Sequence, residues 1–512
     1  MSNLEAWLRT LFSPYRLTWL RFIGAKNISL WLLLLLSFLI AGPAHSMSIT
    51  TNPVRDNSEK SADDTPPNIV LFVADDLGAH DIEPYGNRIV RTPNLKRLAE
   101  QGMRFTRAFV ASPTCSPSRA ALHTGMMPFR NGAHANHTGI KEGVRTLPAY
   151  LRELGYRTAL AGKYHIGPMQ AYPFELIGGT NVPEPGHEGD GALWTDLNLE
   201  PVEQWLREAA GEEQPFLLVV NDHSPHVIWP EEAIYNPKKM DVPSRHIDTP
   251  EYRAMRARYY TDVTKMDRNV GCLLESLDKH GFAENTLFVF ISDHGPQFPF
   301  GKWGLYDYGV QTPLLVQWPG QVEPDSDTDA MVSLVDLLPT FIEVAGGNAP
   351  ENLDGRSFLP VLFGEADAHR KVVFATHTGD GNMNRTPMRM IRTGRYKYIL
   401  NLAPHIQYTT HMDRGARTPY WKSWEQQSFE TEHAASVLYR YHNRPAEELY
   451  DLQTDPYEIR NLAADPAYTP LVEDFRRQLS EWRRRQGDTE TGPYTPPKHN
   501  PSNKPVTPYI FK

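Results

Sequence analysis

The sequence predicts an α/β fold: a mostly parallel central sheet flanked by helices, followed by a smaller C-terminal subdomain with an antiparallel sheet. The first observation is a set of continuously apolar runs, such as 69–74, which is typical of strands covered on both faces. The second is that apolar residues at helical spacing separate these runs. Such alternation predicts a parallel sheet with helices on both faces. Beyond about residue 363 the elements become shorter, which predicts the antiparallel sheet.

The individual elements follow from the same patterns. Four apolar runs are predicted as strands of the main sheet: 69–74, 158–161, 216–220 and 287–291. Helices are predicted where apolar residues recur every three or four positions: 94–103, 147–154, the segment around 270–277, a helix beginning at Val332 and a last helix at 470–485. The segments 388–392 and 396–400 fit strands of the small sheet. We therefore place the main domain at 67–363 and the C-terminal subdomain at 364–487.

The two ends of the chain are predicted to lie outside these domains. Four basic residues precede an apolar run at about 30–40, and a small-x-small segment closes it. This order is typical of a secretory signal peptide over 1–46, so we expect export; retention as a membrane anchor is the open alternative. Residues 47–66 are polar and aperiodic and are predicted to be a flexible linker, and 488–512 are predicted to be a proline-rich tail.

Composition narrows the class of protein. A net charge of −9 argues against a nucleic-acid-binding protein, which would carry a basic stripe, and leaves room for an anionic small substrate. Only two cysteines occur in 512 residues, so an exported form would be stabilised by core burial rather than by disulfides. One of them, Cys272, lies among apolar residues at helical spacing and is predicted to be a buried, inert thiol.

The other cysteine, Cys115, opens a segment with chemical character. Pro117 suits the first turn of a helix, which would place Cys115 at a helix N-terminus, where free backbone N–H groups and the dipole attract anions. Arg119, about one turn later, can add two donors on the same side. The pattern indicates a nucleophile beside an anion pocket; the alternative is a small buried cysteine that caps a helix.

Polar residues follow the predicted strands of the main sheet, at the edge where open α/β sheets bind ligands. Asp75 and Asp76 follow the first strand and Asp293 follows the last. At about 4 Å and an effective dielectric of about 20, each pair of carboxylates repels by roughly 4 kcal/mol, so we expect them to be protonated or to hold a cation. Oxygen ligands favour Ca²⁺ or Mg²⁺, while the imidazole of His294 leaves Mn²⁺ or Zn²⁺ open. The alternative is that Asp75 and Asp76 merely cap the following segment.

Basic residues follow another strand of the same sheet. Lys163 and His165 are two residues apart, so on an extended segment they face the same way. Lys163 could neutralise an anion while His165 transfers a proton near neutral pH; the alternative is a solvent-facing pair. Three further histidines are weaker candidates: His134 and His137 could line a substrate cleft or lie on the surface, and His377 could contact a sugar.

The pattern Cys-x-Pro-Ser-Arg at 115–119, with Leu-His-Thr-Gly at 122–125, resembles the signature of the type I sulfatases. The resemblance extends from about Asn68 to Ala463, with Met126 standing where the family usually has Lys or Arg. It implies an alkaline-phosphatase-like catalytic domain over 67–363. It also implies that a formylglycine-generating enzyme oxidises Cys115 to formylglycine, and that one Ca²⁺ binds at five residues: Asp75, Asp76, Asp293, His294 and residue 115.

The same resemblance implies roles for the basic residues. A hydroxyl of the hydrated formylglycine attacks sulfur, and the metal and three basic residues stabilise charge on the sulfate oxygens: Arg119, Lys163 and Lys302. His226 is expected to protonate the leaving group, with His223 as the rival for that role. His165 is expected to help the second hydroxyl to expel sulfate.

Within the family, segments such as 162–168 and 299–306 look most like heparan N-sulfatase, the sulfamidase. Lys302 stands where that enzyme has an arginine, and His294 where it has an asparagine. We therefore expect a sulfated glycan as substrate and leave an N-sulfate and an O-sulfate as alternatives. A phosphomonoester or phosphonate hydrolase on the same scaffold, and a catalytically silent protein that binds sulfated glycans, are the other two interpretations.

Overall fold

A computed structural model describes residues 66–492, except 185–186, 189–192, 194, 382–383 and 415–417. The signal peptide predicted over 1–46, nearly all of the linker predicted over 47–66, and the predicted tail beyond residue 492 lie outside the described residues. No helix in the described part of the chain combines the length and apolar character that a membrane crossing requires.

The strands of the described residues form four sheets. In chain order the strands are β1 Asn68–Ala74, β2 Met103–Phe105, β3 Ala108–Phe109, β4 Arg157–Gly162, β5 Glu175–Leu176, β6 Asn181–Pro183, β7 Thr195–Leu197, β8 Phe216–Asn221, β9 Thr286–Ser292, β10 Gln311–Thr312, β11 Leu314–Gln317, β12 Ser326–Thr328, β13 Val332–Ser333, β14 Val373–His377, β15 Met388–Arg392, β16 Tyr396–Asn401 and β17 Glu447–Asp451. The central sheet has the order β12-β2-β11-β9-β1-β8-β4-β5. The smaller sheets are β10-β3-β13, β14-β15-β16-β17 and β6-β7.

Helices alternate with the strands of the central sheet, as the pattern predicted. In chain order they are α1 Pro93–Glu100, α2 Cys115–Thr124, α3 Pro128–Asn131, α4 Leu147–Glu153, α5 Glu200–Ala209, α6 Pro250–Lys279, α7 Asp307–Val310, α8 Leu337–Val344, α9 Leu359–Leu362, α10 His411–Arg414, α11 Pro419–Ser428, α12 Glu432–His442 and α13 Thr469–Gln486. The longest, α6, begins after Thr249, whose side chain accepts a hydrogen bond from the Tyr252 N–H.

The prediction of a mostly parallel central sheet is confirmed. β1 pairs in parallel with both β8 and β9, and β4 pairs in parallel with β8. Every residue of β1 and β9 is buried, because each strand is covered on both faces. Each large apolar side chain buried there contributes about 1.5–3 kcal/mol to the stability of the fold. The exception is β11, which runs antiparallel to β9 and β2 and which the sequence pattern did not single out.

Two helix predictions need correction at their ends. The helix predicted over 94–103 ends at Glu100, and Met103 already belongs to β2, where it pairs with Val316. The helix predicted to begin at Val332 is wrong at its start, because Val332–Ser333 is a strand that pairs with β3. The Ser333 N–H donates to the Asp336 carboxylate at 2.9 Å, which holds a tight turn, and α8 begins only after it.

The prediction for Cys272 was wrong, since its side chain is exposed. Its neighbours Val270 and Leu273 are buried on the inner face of α6. Position 272 lies about 100° around the helix from Leu273 and about 200° from Val270, so it falls on the outer face. Helical spacing correctly predicted the apolar face of α6 and placed this cysteine on the wrong side of it.

The C-terminal sheet is antiparallel, as predicted, and charged contacts join it to the main sheet's loops. Arg392 donates to Asp307 at 3.1 Å, and the buried Lys397 Nζ lies 2.5 Å from Asp307 and 2.6 Å from Glu458. Near its other end, Asp488 is buried and accepts hydrogen bonds from Arg389 at 2.6 and 3.0 Å. The residue at which the predicted tail begins is therefore part of the packed structure.

Asp488→Asn is expected to lower the free energy of unfolding by about 3–5 kcal/mol. The substitution removes the charge that offsets the fully buried Arg389 guanidinium, which then stays uncompensated in the interior. Urea unfolding followed by circular dichroism measures this change. The control is Asp474→Asn on the exposed face of α13, which breaks an ion pair with Arg477 and should cost less than about 1 kcal/mol. Equal effects of the two variants would contradict the prediction.

Candidate active site

The predicted nucleophile lies at the start of α2. Thr114 is extended and α2 begins at Cys115, whose side chain is 2% exposed. The Ser118 hydroxyl donates to the Asp293 carbonyl at 2.5 Å and ties this first turn to the end of β9. The prediction of a cysteine at a helix N-terminus is confirmed, and the helix end points at the carboxyl edge of the central sheet.

Three carboxylates meet at this edge because β1 and β9 are neighbouring parallel strands. Asp75, Asp76 and Asp293 are buried, and one oxygen of each lies within 4.8 Å of the others. The Asp76 N–H donates to Asp293 Oδ1 at 3.1 Å. Arg119 donates from Nε to Asp293 at 2.9 Å and from Nη2 to Asp75 at 3.4 Å. The predicted carboxylate cluster and its arginine thus form one connected group.

Two lysines reach the same carboxylates from different loops. Lys163 Nζ contacts Asp75, and Lys302 Nζ donates to both oxygens of Asp76 at 2.7 and 2.9 Å. Gly162 precedes Lys163 with a φ of +77°, and a Cβ there would lie 2.0 Å from the Asn221 carbonyl oxygen. Only glycine fits this close approach of β4 to β8, so the sequence Gly-Lys sets the direction of the lysine.

These cations shift the pKa values of the groups around them. Burial would raise the pKa of Asp75, but Lys163, His226 and Arg119 hold it well below its usual value. Burial raises the pKa of Asp76 to about 7, and Lys302 only partly offsets this. Burial would also raise the pKa of the Cys115 thiol, yet Lys302 and Lys163 lower that pKa well below its ordinary value. The site therefore favours negative charge at position 115.

His294 lies between the thiol and the carboxylates. Its Nε2 is 3.3 Å from Cys115 Sγ and 3.2 Å from Asp76 Oδ1, while its Nδ1 pairs with the Gly295 carbonyl at 2.9 Å. Burial would lower the pKa of His294, but Asp293 and Asp76 raise it to about 9. The Nδ1 contact leaves Nε2 directed at the carboxylate cluster.

The two rivals for the leaving-group acid differ in position. His226 Nε2 lies 3.8 Å from Asp76 Oδ2, and its Nδ1 contacts the Val227 carbonyl at 2.5 Å. Burial, with Lys302 and Lys163, lowers the pKa of His226 well below its usual value. His223 Nε2 instead pairs with Asn181 Oδ1 at 2.6 Å. The geometry therefore favours His226, which has a ring nitrogen beside the carboxylate cluster.

A divalent cation fits this set of donors. Asp75, Asp76 and Asp293 supply buried oxygens, and His294 supplies a nitrogen, so hard and borderline divalent ions are both served. Three basic side chains also contact these carboxylates in the described structure: Arg119, Lys163 and Lys302. An anion also fits, because Arg119 Nη1 is buried with no partner among the described residues.

His165 reaches the site through partners that the sequence did not reveal. Its Nε2 lies 3.0 Å from His137 Nδ1, and His137 Nε2 lies 3.4 Å from Asp380 Oδ1. Asp380 also accepts from the Trp303 indole at 2.8 Å and from Asn136 at 2.9 Å. His137 was considered as a cleft or surface residue, whereas Asp380 follows β14, far away in sequence, and no local pattern marks it.

Two other weak candidates lie elsewhere. His134 stacks on Phe129, with ring centroids 4.6 Å apart, and burial lowers its pKa to about 4. His377 ends β14 with no exposed surface, so a sugar could not reach it in this structure. The sugar contact considered for His377 is therefore not supported, because the residue packs inside the antiparallel sheet.

Comparisons with known proteins agree along most of the chain. The family described as Sulfatase matches residues 67–347, and the family N-sulphoglucosamine sulphohydrolase, C-terminal, matches residues 295–414. An ulvan-active sulfatase of Formosa agariphila is 32% identical in an alignment of 449 positions that covers 84% of this chain and 82% of the relative. The N-sulphoglucosamine sulphohydrolase of Homo sapiens is 31% identical in an alignment of 481 positions that covers 82% of this chain and 90% of the relative.

A solved structure shares the same architecture. It is of a protein in complex with its substrate D-glucosamine-2-N,6-O-disulfate, and it matches with a TM-score of 0.60 at 19% identity. The match covers 83% of this chain and 99% of that one. The expected α/β sandwich with its separate antiparallel sheet is thereby confirmed.

Proposed function

Because the chain belongs to the sulfatase family, whose members hydrolyse sulfate esters and sulfamates, we propose that it removes sulfate groups from a sulfated glycan. The observation that carries this proposal is the convergence of one buried cysteine, three carboxylates and three basic side chains at one edge of the central sheet. A tetrahedral dianion or monoanion with several oxygens is the substrate group that such a set of donors suits.

The non-protein components of the site are part of the proposal. Asp75, Asp76, Asp293 and His294 would hold one Ca²⁺ per chain beside residue 115, since carboxylate oxygens dominate the donor set. Bound there, the cation supplies positive charge for the sulfate oxygens. We propose that Cys115 is oxidised to formylglycine by a formylglycine-generating enzyme; once hydrated, it supplies a hydroxyl nucleophile for sulfur.

The chain's own basic residues bind and orient the sulfate. Arg119 has one buried Nη1 donor free of any protein partner among the described residues, and it is available for a sulfate oxygen. Lys163 and Lys302 each contact a carboxylate on one side, and their ammonium groups have three donors each. These three cations are preorganised in a buried site, where they stabilise charge without reorganisation.

The histidines divide the proton transfers. The contact of His226 Nδ1 with the Val227 carbonyl directs Nε2 towards the proposed sulfate site. Nε2 there donates a proton to the departing oxygen or nitrogen. His165 interacts with the side chain at position 115 and exchanges a proton there as sulfate is released.

The substrate class rests on the relatives. One is active on ulvan and another is named for N-sulphoglucosamine, and both are similar to this chain over most of its length. We therefore propose a polysaccharide-derived substrate that carries an O-sulfate or an N-sulfated glucosamine, and a periplasmic or secreted location in keeping with the predicted signal peptide.

Rate comparison of matched substrates tests the proposed function. The full chain is produced together with a formylglycine-generating enzyme and supplied with Ca²⁺. Its release of sulfate from N-sulfoglucosamine, glucosamine 6-sulfate and an aryl sulfate is compared with release of phosphate from an aryl phosphate. We expect the best sulfated substrate to exceed the phosphate ester by at least about tenfold in kcat/KM, or about 1.4 kcal/mol. A faster phosphate or phosphonate ester would support the hydrolase alternative, and no turnover at all would support a silent glycan-binding protein.

A further inference from the structure

His165 contacts a row of two further side chains, His137 and then Asp380, whose carboxylate ends the row. The row runs from His165 Nε2 to His137 Nδ1 at 3.0 Å, and from His137 Nε2 to Asp380 Oδ1 at 3.4 Å. The two imidazole rings lie with their centroids 4.9 Å apart. The other ring nitrogen of His165, Nδ1, is buried and has no hydrogen-bond partner among the described side chains. The His165 ring also interacts with the Cys115 side chain, and because Nε2 pairs with His137, Nδ1 is the nitrogen available for a group on residue 115.

Asp380 is a fixed end for this row. It is buried and accepts hydrogen bonds from Trp303 Nε1 at 2.8 Å and from Asn136 Nδ2 at 2.9 Å. Asn136 is in turn held next to the nucleophile, because its Oδ1 lies 3.3 Å from both the N–H and the hydroxyl of Ser116. Burial would raise the pKa of Asp380, but His137, Trp303 and Asn136 hold it below its usual value. An ionised carboxylate accepts hydrogen bonds only, so it orients the donor that faces it.

The backbone of both histidines is also unusual. His137 has a φ of +64° and His165 a φ of +39°, in the left-handed region that non-glycine residues seldom adopt. Such conformations cost about 1–3 kcal/mol each and concentrate at functional sites, where surrounding contacts hold them. The left-handed backbone at both residues indicates that contacts around the two rings hold them in place.

We propose that His137 and Asp380 are positioning residues that hold the His165 imidazole against residue 115. This inference rests on the proposed function, because both residues act only through His165 and the proton transfer that is proposed for it. Asp380 fixes His137 and His137 fixes His165, in the way that a buried aspartate orients the histidine of a hydrolase triad. Neither residue touches the sulfate, so their loss acts on the chemical step and leaves binding of the substrate unchanged.

Kinetics of single and double variants test the row. Asp380→Asn and His137→Asn are each expected to lower kcat by about 10–100-fold with KM changed by less than about twofold. Asparagine tolerates the positive φ at position 137, so the backbone is preserved. In a His165→Ala background, Asp380→Asn should cause no further loss, because residues that act through one another are not additive. The control is Asp327→Asn, which removes an exposed carboxylate that pairs with Arg104 outside the row and should leave kcat unchanged in either background.

A spectroscopic measurement on the unconverted Cys115 protein provides a readout other than activity. The ring-nitrogen signals of His165, identified by their loss in His165→Ala, should shift in Asp380→Asn and His137→Asn and stay in place in Asp327→Asn. Independent, multiplying losses for Asp380→Asn and His165→Ala, or unmoved His165 signals, would overturn the positioning role. A wild-type enzyme that cleaves sulfates while the variants behave independently refutes this inference alone, whereas a wild-type enzyme without sulfatase activity refutes the proposed function.

Discussion

Cys115→Ala is expected to abolish turnover, with kcat reduced by at least about 10⁴-fold, while a sulfated ligand still binds. The thiol is buried at the start of α2, and three neighbouring side chains carry positive charge independently of it: Arg119, Lys163 and Lys302. Alanine removes the group that is to be oxidised and leaves these cations in place. Steady-state kinetics on a sulfated sugar and calorimetric titration with the same sugar measure the two quantities separately.

The matched control is Cys272→Ser, because Cys272 is the chain's second cysteine and is exposed on α6. It should keep wild-type turnover. Mass spectrometry of the peptide that contains position 115 should find an aldehyde or its hydrate in the active wild type. Full activity in Cys115→Ala, or an unmodified thiol in a fully active preparation, would contradict the assignment of the nucleophile.

Asp76→Asn is expected to lower kcat by about 10²–10³-fold and to remove the stabilisation that a divalent cation confers. Asp76 contacts Lys302 and His294. Asparagine has no negative charge, so the variant weakens the proposed cation site and removes the ion pair with Lys302. With Ca²⁺ at about 100 times its Kd, binding to the folded state alone stabilises the wild type by about 2.7 kcal/mol. Thermal unfolding with and without Ca²⁺ measures this difference in both proteins.

The control for this variant is Asp327→Asn, which removes an exposed carboxylate that pairs with Arg104 at the sheet edge. It should keep both the activity and the full Ca²⁺-induced rise in Tm. Repeating the titration with Mn²⁺ and Zn²⁺ identifies the preferred ion, since His294 adds a nitrogen ligand to the carboxylates. An undiminished Ca²⁺-induced rise in Asp76→Asn would refute the role of this carboxylate in holding the cation.

Much of the site could be predicted because its residues follow buried strands. Asp75 and Asp293 come directly after apolar runs, and parallel neighbours bring their ends together, as the pairing of Ala74 with Ser292 shows. Cys115 was placed at a helix start by Pro117, and α2 does begin there. The spacing of apolar residues and residues such as Pro117 at a helix start determine these features, because a strand buried on both faces needs a continuous apolar run.

Other features depend on partners far apart in sequence. The outward side of Cys272, the strand at Val332–Ser333 and the antiparallel β11 each follow from which neighbour the segment packs against. Local propensity carries no information about that choice.

The amino-acid order by itself determined the alternation of strands and helices, the start of α2 and the set of charged side chains at the carboxyl edge of the sheet. Only the tertiary structure decided that His226 rather than His223 faces Asp76, and that Asp380 lies behind His137. The physical reason is that hydrogen bonds and ion pairs act over a few ångströms in space. Residues 137 and 380 meet only because the β14-β15-β16-β17 sheet packs beside the main domain, where the Asn136 N–H donates to the Gly379 carbonyl at 3.0 Å.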